Sequence, residues 1–264
     1  MCSLLRARFA ALFFSVPVIA LCLAALPAAH ADGPDGLDRS APGALLARSS
    51  SYNPWYGYLW PASGLTCSYA PASSYSTPQA TYAVTARDNR HTVVRVKAGS
   101  ARATEEYTFA EGDRLRLQVR KLSASGVTLR MSGGILLPAL RGVKNRRSVK
   151  STVVIKATLP KSQAAQVKPY LTSGSTVNLR VTFKAKGQGV RTVQGYHGAS
   201  VRISVASVRA TNVVSAAQST VVDAARQYLA PMTGTQVYAE SFGLVSVGGA
   251  KADGSDGLLL SGCH

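Results

Sequence analysis

The segment Val177-Asn-Leu-Arg-Val-Thr-Phe183 alternates apolar and polar side chains at every position. Successive side chains of a β-strand point to opposite faces of the sheet, so this pattern predicts a strand with one dry and one wet face. The same pattern recurs, in full or in part, at residues 92–97, 114–120, 127–131 and 201–205, and further strands are expected at residues 105–109, 153–159 and 237–247.

Turn residues separate these segments at short intervals, for example at Glu111-Gly-Asp113 and Ser132-Gly-Gly134. Such spacing favours antiparallel hairpins over parallel strands, which need long crossover connections. Helical patterns are short and few. Residues 161–167 follow Pro160, and residues 221–229 fit both the helical period and the strand period. We therefore predict an all-β, mainly antiparallel fold, as a curved sheet, half-barrel or sandwich, with at most one or two short helices.

The first residues have the form of an export signal. Arg6 and Arg8 precede an apolar run at residues 9–26, and Ala29-His-Ala31 offers the small residues that a signal peptidase reads. The run is 18 residues long, which also meets the lower limit for a membrane span. The ending at Ala31 favours cleavage, so residues 1–31 are interpreted as a signal peptide and the protein as secreted.

Two cysteines remain after cleavage, Cys67 and Cys263. Export places them where oxidation is permitted, and two cysteines allow one intramolecular pairing, so a disulfide is predicted. Two separate redox-active thiols are the alternative, but the pair lacks the close CxxC spacing. The bond would close a single β domain at residues 67–264. Residues 32–66 are interpreted as a flexible lead-in, because residues 32–51 are rich in Gly, Pro, Ala and Ser.

The lead-in ends in a segment with five aromatic residues in nine positions. Pro54 and Pro61 bracket most of it and disfavour a helix. Aromatic faces stack on sugars and on nucleic-acid bases, so the segment is a candidate binding surface. The alternative is that its rings fill an apolar groove of the domain. This aromatic strap consists of Tyr52, Trp55, Tyr56, Tyr58 and Trp60.

Charge is distributed unevenly along the chain. The formal net charge is +18, or +16 without the leader, and residues 114–222 hold 11 Arg and 8 Lys but neither Asp nor Glu. The positive electrostatic potential of this region attracts polyanions, and its lack of carboxylates disfavours a metal site with carboxylate ligands. The alternative is that these residues only keep the sheet soluble and blunt its edges.

The basic residues fall into two sets. Within the predicted strands they occupy the polar phase, as Arg114, Arg120 and Arg130 do, and should face solvent. The second set lies at residues 141–150, which are interpreted as an exposed loop between strands. The predicted anion-binding residues are Arg116, Arg141, Lys144, Arg146, Arg147, Lys150, Arg180 and Arg202.

The common catalytic and metal-binding motifs are missing from the sequence, among them GxSxG, HExxH, SxxK and GxxxxGK[ST]. Ser200, His197 and Asp223 could be combined into a triad, but any serine-rich chain offers such combinations. Glu105 and Glu106 would lie on opposite faces of a strand, which disfavours paired acid chemistry. We therefore expect no enzymatic activity, no metal and no cofactor.

The stretch Gly234-Thr-Gln-Val-Tyr-Ala-Glu-Ser-Phe-Gly-Leu-Val-Ser-Val247 resembles the Tyr-Ala-x-x-x-Gly-Leu-Val ending of exported bacterial all-β proteins of uncharacterised function. These proteins are similar in turn to periplasmic lipoprotein carriers, whose antiparallel sheet curls around an apolar cavity. The resemblance implies a curved sheet with a lipid-binding concavity, and it assigns no ligand residues.

Three functions follow as hypotheses. The first is a secreted basic protein of the cell envelope or extracellular space that binds an anionic polymer or an anionic lipid surface. The second is a carrier that encloses an apolar ligand in its curved sheet. The third is an enzyme with an unrecognised site.

Overall fold

The computed structural model describes residues 53–73 and 77–264. The predicted signal peptide, most of the lead-in and Tyr52 lie outside the described residues. The α-helices are α1 (Leu140–Lys144), α2 (Lys161–Val167) and α3 (Gln218–Leu229). The strands are β1 (Thr66–Pro71), β2 (Ala80–Arg87), β3 (His91–Ala98), β4 (Ala101–Ala110), β5 (Arg114–Ala124), β6 (Val127–Ser132), β7 (Ile135–Leu137), β8 (Ser148–Thr158), β9 (Val177–Val193), β10 (Tyr196–Ala210), β11 (Gly234–Ala239), β12 (Gly243–Gly249) and β13 (Leu258–Cys263).

The strands form one sheet that closes on itself. Its order is β4-β3-β2-β1-β13-β12-β11-β10-β9-β8-β6-β5-β7, and β4 also pairs with β5, so the two ends of the order meet. The short β7 pairs with one half of β5 while β6 pairs with the other half. The predicted all-β, antiparallel fold class is therefore confirmed. The predicted curved sheet is a closed one.

The closing seam joins the first strand to the last. β1 and β13 pair antiparallel, with Cys67 directly opposite Cys263. A disulfide connects these two cysteines, whose Cα atoms are 4.1 Å apart and which are separated by 196 positions in the chain. Beyond them, the backbones of Thr66 and His264 exchange hydrogen bonds of 2.9 and 3.0 Å. The predicted disulfide is thus confirmed, and its place in the fold is the seam of the ring.

We expect the double variant C67A/C263A to lose about 2–5 kcal/mol of unfolding free energy, because the unfolded chain regains the freedom of a loop of nearly the whole domain. Denaturant titration monitored by circular dichroism measures this loss. Reduced wild-type protein serves as the control, because it keeps both cysteine side chains, the buried Cys67 and the exposed Cys263, and should show a similar loss. An unchanged unfolding midpoint in both samples would contradict a stabilising role for the bond.

Alternation along the strands separates the two faces of the sheet. In β9, the side chains of Val181, Phe183 and Ala185 are buried inside the ring, whereas Arg180 and Lys186 are exposed outside it. The inward side chains of the other strands join them in one continuous apolar core. The dry and wet phases read from the sequence therefore correspond to the inside and the outside of the closed sheet.

Helix α3 covers part of the interior. Val221, Ala225 and Leu229 on its apolar face line an apolar gap together with inward residues such as Leu129 of β6 and Leu179 of β9. The gap has a volume of about 30 Å³. None of the helices in the described part of the chain is long and apolar enough to cross a membrane.

The predicted exposed loop at residues 141–150 is not a loop. Helix α1 occupies its first half and β8 begins at Ser148. Gly142 and Val143 are buried, and a Cβ atom on Gly187 of β9 would lie 2.5 Å from the Cα atom of Val143. This close packing fixes α1 against the sheet, and the sequence prediction missed it because the contact joins residues distant in the chain.

Candidate anion-binding surface

The outer sides of β6, β8, β9 and β10 form a continuous basic surface. Its cations occupy the solvent-facing phase of these strands, and all but the half-buried Lys184 are exposed. We call this surface the basic face. It comprises Arg130, Lys150, Lys156, Arg180, Lys184, Lys186, Arg202 and Arg209.

Strand register places these cations opposite one another. The directly opposed pairs are Arg130 with Lys156, Lys150 with Lys184, Lys186 with Arg202, and Arg180 with Arg209. Opposed side chains on neighbouring strands have Cβ atoms about 4.5–5.5 Å apart, and like charges in this position destabilise a sheet. The basic face is therefore built against the electrostatic preference of the fold.

Carboxylates do not relieve this repulsion. Among the described residues, the ion pairs are His91–Asp88, Arg120–Glu106 and Arg226–Asp223, and none of them includes a cation of the basic face. The polar side chains between the cations are neutral: Thr152 and Thr182, for example, share a hydrogen bond of 3.1 Å. The surface can thus offer its charges to an external anion.

The predicted anion-binding residues divide between separate places. Lys150, Arg180 and Arg202 belong to the basic face, whereas Arg116 lies on the outer side of β5, paired with Leu136 of β7. Arg141 and Lys144 belong to α1, and Arg146 and Arg147 follow it. The sequence prediction missed Lys156, Lys184, Lys186 and Arg209, although their polar phase in β8, β9 and β10 could have identified them.

Replacing Lys184 by Glu should stabilise the sheet at low salt. The new carboxylate would face Lys150 across β8 and β9, so an attraction replaces a repulsion, with an expected gain of about 0.2–1 kcal/mol. Lys184→Gln, which only removes the repulsion, should gain less. Thermal or denaturant unfolding at 20 mM and 1 M salt measures both effects, and the difference between the variants should vanish at high salt. A lower stability of Lys184→Glu than of Lys184→Gln at low salt would contradict the repulsion.

The two tryptophans of the aromatic strap are part of the core. Trp55 and Trp60 are fully buried. The indole Nε1–H of Trp55 donates to the carbonyl of Pro138 at 3.0 Å, and its ring packs edge-on against Tyr238. The ring of Trp60 packs against Tyr107 in the same way. Neither tryptophan offers a free face to a sugar or a base.

The guanidinium of Arg87 holds the middle of the strap. It lies 4.4 Å from the ring centroid of Tyr56 and donates to the backbone carbonyls of Tyr56 and Trp60. Burial lowers the pKa of Arg87, although the nearby Tyr56 opposes this shift. Trp55 and Trp60 therefore pack within the domain core, although they precede the sequence boundary at Cys67.

A carboxyl group lies beside these aromatic rings. Glu105 of β4 faces the interior, with Val94 and Val119 as its neighbours across the sheet. The hydroxyl of Tyr107 donates to Glu105 Oε2 at 2.8 Å. Burial raises the pKa of Glu105 to about 7, and the hydrogen bond from Tyr107 only partly offsets this. The adjacent Glu106 points outward and pairs with Arg120 at 2.6 Å.

We expect Glu105 to make the protein less stable as pH rises from about 4.5 to 7. The unfolded chain ionises this carboxyl near its ordinary pKa, whereas the folded chain keeps it protonated up to about pH 7. The contribution is about 2–3 kcal/mol. Glu105→Gln should remove it, so the variant should gain stability relative to wild type across this range.

The measurement is denaturant unfolding at pH values from 4 to 8, with Glu106→Gln as the matched control. That substitution breaks the ion pair with Arg120 and should leave the pH dependence due to Glu105 in place. If Glu105→Gln and wild type were to differ by a constant amount at all pH values, Glu105 would not be the titrating group.

The structure does not bring together the candidate triad of Ser200, His197 and Asp223. The hydroxyl of Ser200 is buried and donates to the carbonyl of Ala252, while His197 is exposed and its Nδ1 lies 2.8 Å from the hydroxyl of Thr192. Residues three apart on a strand point to opposite faces, so His197 and Ser200 do not meet. Within residues 53–73 and 77–264, no three His, Cys, Asp or Glu side chains are grouped to hold a metal.

No known protein family, curated protein or solved structure matches this chain. The stretch at residues 234–247 that resembles the ending of carrier-like proteins forms strands β11 and β12 and the turn between them. The resemblance itself stays a prediction.

Proposed function

We propose that the protein is a secreted binding or structural protein of the cell envelope or extracellular space, which holds anionic polymers through its basic face. The observation that carries this proposal is the set of four directly opposed like-charge pairs on neighbouring strands. A surface selected only for solubility would mix both signs of charge. An acid-free array is favourable when the balancing charges come from a ligand.

The shape of the surface indicates the class of ligand. The basic face spreads over four adjacent strands, which lie about 4.8 Å apart, and its charges repeat along β8, β9 and β10. An extended polymer with regularly spaced phosphates can engage several of these cations at once. Each neutralised phosphate also releases condensed counterions, which supplies a large part of the binding free energy.

The carrier hypothesis receives no comparable support from the described residues. The apolar gap beneath α3 has a volume of about 30 Å³. A space of this size holds roughly one or two water molecules and would have to expand many-fold to admit an acyl chain.

We expect binding to duplex DNA, used as a probe polyanion, to weaken steeply with salt. For about five phosphate contacts, log K should fall with a slope of about −4 to −5 against log salt, with little dependence on base sequence. The variant K156Q/R180Q/K184Q/R209Q should flatten this slope by about 2 or more, because each lost contact removes about 0.9 from it. Fluorescence anisotropy of a labelled duplex between 25 and 300 mM salt measures the slope.

The matched control is R95Q/K97Q/R102Q/K121Q, which removes the same charge from the outer side of β3, β4 and β5. This side also contains a like-charge pair, Lys97 opposite Arg102, but there the guanidinium donates to the carbonyls of Gly99 and Ala101. The control should keep the wild-type slope. Equal slopes for both variants would assign binding to net charge, and no binding at low salt would overturn the proposal.

Parallel titrations with teichoic acid and with vesicles of phosphatidylglycerol and phosphatidylcholine identify the preferred surface. The proposal expects tighter binding to the polymer, at equal phosphate concentration, than to the vesicles. Tighter binding to the vesicles would replace the polymer by a lipid surface as the partner.

A further inference from the structure

A cleft of about 510 Å³ opens beside α1, where the start of β5 faces the start of β8. This volume falls in the range of small-molecule sites. Three arginines reach it from different segments of the chain: Arg114 from β5, Arg141 from α1, and Arg147 from the connection to β8. The remaining lining residues are Gly112, Pro138, Ala139, Gly142, Asn145, Ser148 and Val149.

The charge in this cleft is not balanced by its lining. None of its lining residues is acidic, and none of the ion pairs within the described residues involves Arg114, Arg141 or Arg147. The nearest acids in sequence, Glu111 and Asp113, flank Gly112 in the exposed turn at the rim. Three arginine residues therefore line one concave space whose other lining residues are uncharged.

The walls of the cleft are held by the core. Trp55 donates to the carbonyl of Pro138 at 3.0 Å, and the side chain of Asn53 donates to the carbonyl of Arg114 at 3.3 Å. Trp55 of the aromatic strap and the neighbouring Asn53 thus connect both walls to the segment that precedes β1. The backbone of Arg147 is bound on both sides, because its N–H donates to Gly142 and its carbonyl accepts from Gly187 at 2.8 and 2.9 Å. Binding sites on such rigid supports lose little ordering entropy when a ligand enters.

We propose that this cleft binds a phosphate monoester or diphosphate group. Guanidinium groups pair bidentately with phosphate oxygens, and a planar fork recognises them better than a lysine ammonium does. Up to three positive charges match the two or three negative charges of these groups better than the single charge of a carboxylate. Asn145 and Ser148 lie in position to add neutral hydrogen bonds.

The cleft adjoins the basic face, since Ser148 on its lining is directly opposite Lys186. The phosphate group can therefore come from either of two sources: a free small molecule, or the phosphorylated end of a polymer that lies across the basic face. The inference does not rest on the proposed function, because a compact phosphate could bind in the cleft even if no polymer used the basic face.

Isothermal titration calorimetry with pyrophosphate at constant ionic strength tests the proposal on the wild-type protein. We expect saturable 1:1 binding with a Kd below about 1 mM, and weaker binding of sulfate and acetate. The variant R141Q/R147Q should lose at least tenfold in affinity, which corresponds to about 1.4 kcal/mol. Circular dichroism and the unfolding midpoint check that the variant is folded.

The matched control is K144Q/R146Q, which removes two charges from the same short segment at exposed positions that do not line the cleft. It should change the affinity by less than threefold. Equal losses in the two variants, or no saturable binding to wild-type protein, would overturn the cleft as a site. If R141Q/R147Q does not fold, Arg114→Gln takes its place as the test variant. The same tenfold loss of affinity is expected for it.

Duplex DNA with and without a 5′-phosphate separates the two sources. Preference for the phosphorylated duplex, abolished in R141Q/R147Q, assigns the cleft to a polymer end; equal affinity assigns it to a free phosphate compound. The two proposals fail separately. The K156Q/R180Q/K184Q/R209Q variant should still bind pyrophosphate, and R141Q/R147Q should keep a steep salt dependence with unphosphorylated duplex.

Discussion

The pairing of the first strand with the last is the constraint on which the structure depends. Without the β1–β13 seam, the sheet would be an open, curled ribbon with free edges at these strands, exposed to pairing with other chains. The disulfide between Cys67 and Cys263 holds this seam across 196 positions of sequence. Closure also gives every strand an inside and an outside, and the separation of apolar from charged side chains follows from it.

Closure explains how so basic a chain can fold. Arg and Lys occupy the outer phase of the strands, where water screens them, while the inner phase supplies an apolar core. Glu105 is an inward-facing exception among the strand carboxylates, and burial beside aromatic rings raises its pKa to about 7. The outer cations repel one another across neighbouring strands, and an anionic partner would remove that repulsion. Stability and binding are thus coupled through the same side chains.

The basic face and the cleft beside α1 are neighbouring surfaces, and they offer an anion two different geometries. The basic face is broad and carries its charges on regular strands, so its contacts are numerous and individually weak. The cleft beside α1 gathers Arg114, Arg141 and Arg147 around one concave space, so its contacts are few and directional. Trp55 of the aromatic strap and the nearby Asn53 connect the cleft to the core, because both donate hydrogen bonds to the backbone of its walls. A feature that the sequence offered as a binding surface acts here as internal support.

The sequence by itself determined the β class, the polar phase of residues such as Arg180 and the pairing of the only two cysteines in the predicted mature chain, because alternation and cysteine number are local or countable properties. It also indicated α2 correctly, since Pro160 marks its start. Tertiary structure alone decided that the sheet closes, that Trp55 and Trp60 are buried, and that α1 packs on Gly187 instead of forming a loop. It likewise set the register that opposes Arg180 to Arg209 and the cleft that unites Arg114 with Arg147. These features depend on contacts between residues far apart in the chain, which no local pattern encodes.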